Sequence, residues 1–165
     1  MLAIILISLF LTGLDQIIKI VIDHKLIVGK SIEIIPKFFN ITNTRNYGAA
    51  WSILKDQAIL LAIIGIVAII IIYFNLIKDK NLKKFDIILI SMLIAGIMGN
   101  LIDRVRLGYV IDYLDFNIFG YDYPVFNFAD ILIVISMIAL IIKSIKEEKN
   151  AKNNRDWRWK RYPHW

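Results

Sequence analysis

Residues 60–76 read LLAIIGIVAIIIIYFNL, a run with no charged side chain and one amide. A helix needs about 20 mostly apolar residues to cross the hydrocarbon layer of a bilayer, and residues 58–77 supply that length. Working outward, residues 2–22, 85–102 and 128–145 form three more apolar stretches of similar extent. The chain is 58% hydrophobic over 165 residues with mean hydropathy +0.64, more apolar surface than one small soluble core can hide. The predicted class is therefore a mainly α integral membrane protein with four transmembrane helices. The first stretch lacks the basic leader and A-x-A site of a cleaved signal peptide and carries Asp15 and Lys19, so it is read as a retained span.

Charge sets the orientation. The net charge is +6, but residues 143–165 hold eight Lys/Arg against three Asp/Glu, so the rest of the chain is nearly neutral. That distribution argues against a nucleic-acid partner. Lys78, Lys80, Lys83 and Lys84 crowd the short link between the second and third spans. Cytoplasmic connections keep such an excess of basic residues, so this link and the tail are placed inside, giving N-in, C-in topology. Residues 1–145 are read as the transmembrane domain. Residues 146–165, ending DWRWKRYPHW, are read as a cytoplasmic tail whose basic and aromatic side chains suit anionic headgroups.

The connections left outside are not plain links. Residues 31–54 carry β-branched and aromatic runs broken by Pro36, Asn40, Asn43, Asn46 and Gly48, a pattern of short strands and turns. Residues 109–123 repeat it.

Ionisable groups in or beside a span are costly and mark function by default. Asp15 and Lys19 stand at i, i+4 on one helix face, where an internal ion pair and a substrate-facing role for Asp15 both remain open. Asn100, Asp103 and Arg104 share a face where the third span ends, and Asp103 is expected to pair with Arg104 or Arg106 as an ionised structural group. Asn127 suits an N-cap for the fourth helix, with Asp130 in its first turn. The apolar run after Asp130 draws that carboxylate to the membrane boundary. Asp112 lies 18 residues earlier in an apolar, aromatic setting, while Asp115 and Asp122 are expected to be solvated. Two carboxyls brought together in a partly dry site share one proton, the requirement of aspartic peptidase chemistry. Spacing alone leaves open whether Asp112, Asp103 or Asp115 meets Asp130.

Other chemistries are poorly supplied. There is no cysteine, and only His24 and His164 offer imidazole, so no metal or cofactor is expected. H-E-x-x-H, G-x-S-x-G and G-x-G-D are absent from the sequence. A transporter would line a path with its acids, yet the second span has no charge and the acids gather near one face. A non-catalytic binding subunit would tolerate Asp130→Asn provided the cap survived.

In order, Asp15-Gln16-Ile17-Ile18-Lys19, Asn46-Tyr47-Gly48-Ala49-Ala50-Trp51, Ala95-Gly96-Ile97-Met98-Gly99-Asn100-Leu101-Ile102-Asp103-Arg104, Val110-Ile111-Asp112-Tyr113 and Phe126-Asn127-Phe128-Ala129-Asp130 resemble the motif series of the lipoprotein signal peptidases, or signal peptidase II. The resemblance spans residues 1–145. It implies a bacterial inner-membrane aspartic endopeptidase, active at the outer face, that cuts prolipoproteins on the amino side of a diacylglyceryl-modified cysteine. Asp112 and Asp130 match the catalytic pair. Asp15, Asn46, Gly48, Asn100, Arg104 and Asn127 match supporting or substrate-binding positions, and Asp103 matches a structural acid. The implied fold adds a small extracytoplasmic β-sheet cradle and a mobile flap to the four helices, working as a monomer among membrane lipid. Ala95, Trp51 and Tyr113 depart mildly from the family pattern.

Overall fold

The structure is a computed structural model, and it describes residues 1–48, 53–77 and 82–161. Ala49, Ala50 and Trp51 of the flap-like segment, and Lys78 and Lys80 of the basic link, lie outside the described residues. The chain runs α1 (Leu2–Lys25), β1 (Ser31–Ile35), β2 (Phe39–Asn46), α2 (Ala58–Ile72, continued by a π-turn Tyr73–Ile77), α3 (Lys84–Leu107), β3 (Val110–Ile118), β4 (Tyr121–Asp122) and α4 (Phe128–Arg161). Four of these helices are long and apolar enough to cross a membrane. The strands form one antiparallel sheet in the order β1-β2-β3-β4. The tail expected from residue 146 is not set off by a break, because α4 continues through it to Arg161.

α3 is the central helix, with half of its apolar window buried against 11% for α2. Its partners are fixed by polar rungs and small residues, as befits helices that gain nothing by hiding apolar side chains from equally apolar lipid. Ser8 Oγ donates to Ser91 O (3.2 Å), Thr12 Oγ1 to Ala95 O (3.4 Å) and Gln16 Nε2 to Gly99 O (3.1 Å). Each rung joins residues 83 apart, so α1 and α3 advance together and run parallel. α4 runs the other way: Lys143 pairs with Asp86, Ile133 lies against Gly96, and Asp130 meets Asn100. A Cβ at Gly96 would stand 2.5 Å from Ala129 O, so only glycine admits this approach. The outward faces, including Phe10, Ile17, Ile63, Ile70, Val134 and Ile141, are exposed as a lipid-facing surface requires.

Gly108 ends α3 in the left-handed region (φ 79) and returns its N–H to Arg104 O, which turns the chain into β3. Between β2 and β3 the register slips once. Ile41 faces Leu114, whereas Thr44 faces Asp112 and Asn46 faces Val110. A one-residue slip moves side chains to the opposite sheet face, so this bulge brings Asn46 to the same face as Asp112. Asn43, fully buried within the slip, donates to Leu26 O (2.7 Å) and Asp23 Oδ1 (3.2 Å), pinning the bulge to the end of α1.

Candidate active site

The ends of α1 and α3, the start of α4 and the β2–β3 ladder converge on two carboxyls, Asp112 and Asp130. Asp112 is 3% exposed. Its Oδ2 accepts from Asn46 Nδ2 (2.9 Å) and its Oδ1 from Asn127 Nδ2 (2.6 Å). Asp130 is half-buried; its Oδ1 accepts from Asn100 Nδ2 (2.8 Å) and its Oδ2 from the Asn127 N–H (3.1 Å). Asn127 thus serves both acids. It also caps α4 as expected, its Oδ1 accepting from the Asp130 N–H (3.0 Å).

The segment before α4 makes this possible by lying along β3. Phe126 O accepts from the N–H groups of Tyr113 (3.0 Å) and Leu114 (2.8 Å), and Phe126 N–H donates to Leu114 O. Tyr113 adds a tie that phenylalanine cannot: its hydroxyl accepts from the Phe128 N–H (3.2 Å), one of the unpaired donors at the helix start. Burial holds that phenol above its ordinary pKa, so it acts as a neutral hydroxyl.

Burial, and then the neighbouring charge of Asp130, push the Asp112 carboxyl up to about 7, against the opposing pull of the Asn46 and Asn127 hydrogen bonds and the Lys19 charge. Of the acids weighed from sequence, Asp112 is the one that shares a donor residue, Asn127, with Asp130. Asp115 is half-buried rather than solvated, because it accepts from Thr42 Oγ1 (2.8 Å) and Asn40 Nδ2 (3.4 Å). Asp122 is exposed, as expected.

The expected pairing of Asp103 with Arg104 or Arg106 is incorrect. Asp103 is paired with Lys19 Nζ (2.9 Å) and accepts from Gln16 Nε2 (3.0 Å) and the Ile111 N–H (3.2 Å). The parallel packing of α1 on α3 and the turn into β3 bring these distant partners in, whereas Arg106 reaches Gln16 Oε1 (3.5 Å) instead. Arg104 donates to Gly48 O (3.1 Å) and Asn100 O (3.4 Å) and interacts with the charges of Asp130 and Asp112. Gly48 N–H in turn binds Asn46 Oδ1 (2.9 Å), tying the start of the flap-like segment to the site.

Asp15 takes the ion-pair alternative. It is fully buried, pairs with Lys19 Nζ (3.0 Å) and accepts from the Ala129 N–H (3.1 Å) at the start of α4. Gly99 leaves the room, since a Cβ there would run into the Asp15 carboxylate. Sequence reasoning missed Gln16, Asn43 and the reach of Lys19 to Asn100; their partners lie on other elements, and no local spacing marks them. Among the described residues, no group of three His, Cys, Asp or Glu side chains is placed to hold a metal ion.

Comparison with known proteins gives a consistent picture. Residues 7–146 match the family described as signal peptidase (SPase) II. The chain is 44% identical over 149 residues to a lipoprotein signal peptidase of Staphylococcus aureus, covering 90% of this chain and 91% of the relative. It is 45% identical over 148 residues to that of S. aureus strain MRSA252, with the same coverage. Two solved structures, each described as a bacterial membrane enzyme obtained by the in meso method, superpose on it. The one at 2.3 Å resolution gives a TM-score of 0.82 at 44% identity, covering 89% of this chain and 90% of the other. The one at 1.9 Å gives 0.77 at 45%, covering 87% and 92%.

Proposed function

Because this chain belongs to the signal peptidase II family of membrane aspartic peptidases, we propose that Asp112 and Asp130 are its catalytic pair, sharing one proton and activating a water against the scissile peptide bond. The observation that carries this reading is the bridging position of Asn127, whose side chain donates to one carboxyl and whose backbone N–H donates to the other. Two carboxyls so held titrate as a unit. Asp112, the more deeply buried, is the better seat for the shared proton. Asp130 takes a proton from the attacking water as its oxygen bonds to the carbonyl carbon. Asp112 donates to the carbonyl oxygen, giving a gem-diol. As the C–N bond breaks, Asp130 passes its acquired proton to the leaving amine and one diol hydroxyl returns its proton to Asp112, which leaves a carboxylic acid product and the starting pair.

The substrate is a prolipoprotein with a diacylglyceryl-modified cysteine, cut on the amino side of that residue. Its signal helix and acyl chains lie among the apolar outer faces of the helices. Asn46, Asn100 and Asn127 orient the two carboxyls; Asp15 and Asp103 hold the helix ends; Arg104 and Gly48 tie the start of the flap-like segment to the site. The protein works as a monomer in the bacterial cytoplasmic membrane, N-in and C-in, with the sheet and acid pair at the outer face and the basic aromatic residues of 146–165 on the inner headgroups.

The test is cleavage of a diacylglyceryl-modified prolipoprotein by purified protein in detergent or lipid. Asp112→Asn and Asp130→Asn are each expected to fold and to lose roughly 10²–10⁴-fold in rate, the usual worth of a positioned acid or base. Cleavage that survives Asp112→Asn would sink the assigned pair and redirect the search to Asp103 or Asp115.

A further inference from the structure

Lys19 is 1% exposed, and the chemistry above makes no use of it. Its ammonium has three protons and no acceptor, and it meets three acceptors: Asp15 Oδ2 at 3.0 Å, Asp103 Oδ2 at 2.9 Å and Asn100 Oδ1 at 3.0 Å. Neutralising two acids would occupy two of these donors. The third goes to the side chain that touches Asp130.

That contact decides which way an amide faces. Asparagine presents an oxygen and a nitrogen of nearly equal size, and its neighbours select the orientation. Asn100 Oδ1 accepts from Lys19 Nζ and from Asn127 Nδ2 (3.1 Å), which leaves Nδ2 directed at Asp130 Oδ1 (2.8 Å). The reversed amide would set its NH₂ against an ammonium and a second NH₂, and its oxygen against a carboxylate.

We propose that Lys19 is a positioning residue for the acid pair, a donor-only group beneath the site that fixes Asn100 as a hydrogen-bond donor to Asp130. The inference rests on the reading of Asp112 and Asp130 as the catalytic pair. Stability alone does not account for Lys19, since burying an ion pair costs about as much as its attraction returns. The order of donation runs from Lys19 to Asn100 to Asp130, and from Asn127 to both Asn100 and Asp112. With Asn46 on Asp112 Oδ2 and the Asn127 N–H on Asp130 Oδ2, each carboxyl meets donors at both oxygens, and the shared proton must be placed against that fixed pattern.

The charged groups around Lys19 are Asp15 on α1, Asp103 and Arg104 on α3, Asp112 on β3 and Asp130 on α4, with Asp23, His24 and Arg106 on the small cavity behind it. The Lys19 charge pulls the Asp112 carboxyl downward. Its removal therefore moves the alkaline limb of activity to higher pH.

The experiment takes full-length Lys19→Met through circular dichroism, separate kcat and KM, and a pH profile of kcat/KM. KM is expected to stay within about threefold and kcat to fall on the order of 10–100-fold, the usual worth of outer partners that orient reacting groups, with the alkaline limb displaced upward. Methionine leaves Asp15 and Asp103 without their cation. Lys19→Met/Asp103→Asn, which removes one buried charge of each sign, is therefore read in the same way if the single variant does not fold. A folded variant with native kcat and an unmoved limb overturns the proposal. Failure of both to fold also overturns it, by assigning Lys19 to helix assembly alone. Asp112→Asn and Asp130→Asn run alongside: continued cleavage by these rejects the acid pair itself, whereas their inactivity beside a fully active Lys19→Met rejects only the role of Lys19.

Discussion

Asn46 reaches the Asp112 carboxyl from β2 at 2.9 Å, and that bond opposes the upward push of burial. The active form of a shared-proton pair is lost when both acids ionise, so kcat/KM should fall as pH rises through about 7, where Asp112 titrates. In Asn46→Ala the opposing bond is gone, the Asp112 pKa rises further, and the alkaline limb moves to higher pH. The rate at the optimum should drop about 5- to 10-fold, the worth of one hydrogen bond of about 1 kcal/mol. A pH series of cleavage rates checks both; a limb displaced to lower pH would contradict the assigned cause. At this scale the sequence was only partly legible. Asp112 and Asp130 could be singled out as boundary acids, but their meeting depends on a strand bulge and a chain segment laid along β3, and only the ordered motif series pointed to it. Asp103 was misassigned because two arginines sat beside it in sequence, while its true partner, Lys19, lies 84 positions away.

Helices and strands were more legible, since the bilayer writes its thickness into the lengths of apolar runs and β-branched stretches between polar breaks mark strands. The register was not legible: nothing local announces the slip between Ile41 and Thr44. Helix contacts also depend on atoms that composition does not weigh. Gly96→Ala places a methyl 2.5 Å from Ala129 O and 2.7 Å from Ile133 Cγ1, so α4 must shift from α3, taking Asp130 with it. A cost of about 1–3 kcal/mol in stability is expected, with reduced cleavage. Gly13→Ala is the control, because nothing lies within 4 Å of its added methyl and helix propensity favours alanine by up to about 1 kcal/mol. Thermal melts of the two variants in one detergent decide the matter: equal melting would mean that the α3–α4 contact yields freely.

For the whole molecule, the parallel run of α1 and α3 places the α1–α2 connection, the β sheet and the acid pair at one end of the bundle, and Asp86 with Lys143 at the other. The proposed N-in, C-in topology would turn the first end outward. The chain has no cysteine, so a single introduced thiol can be followed without background. Lys30→Cys should react with a membrane-impermeant maleimide in intact cells, and Lys149→Cys only after permeabilisation; the opposite pattern would invert the topology.

The repeating offset of 83 residues between α1 and α3 also bears on how the protein is made. Lipid accepts an apolar helix in any register, so insertion alone does not check alignment. A pair stacked one turn out of step would keep its oily faces in the bilayer, and Ser8, Thr12 and Gln16 would meet the backbone carbonyl one turn along, but Lys19 would miss Asn100 and Asp103. Alignment is thereby checked by the buried Lys19 and its acceptors rather than by the rungs, and a chain that is inserted but wrongly stacked is expected to be inactive.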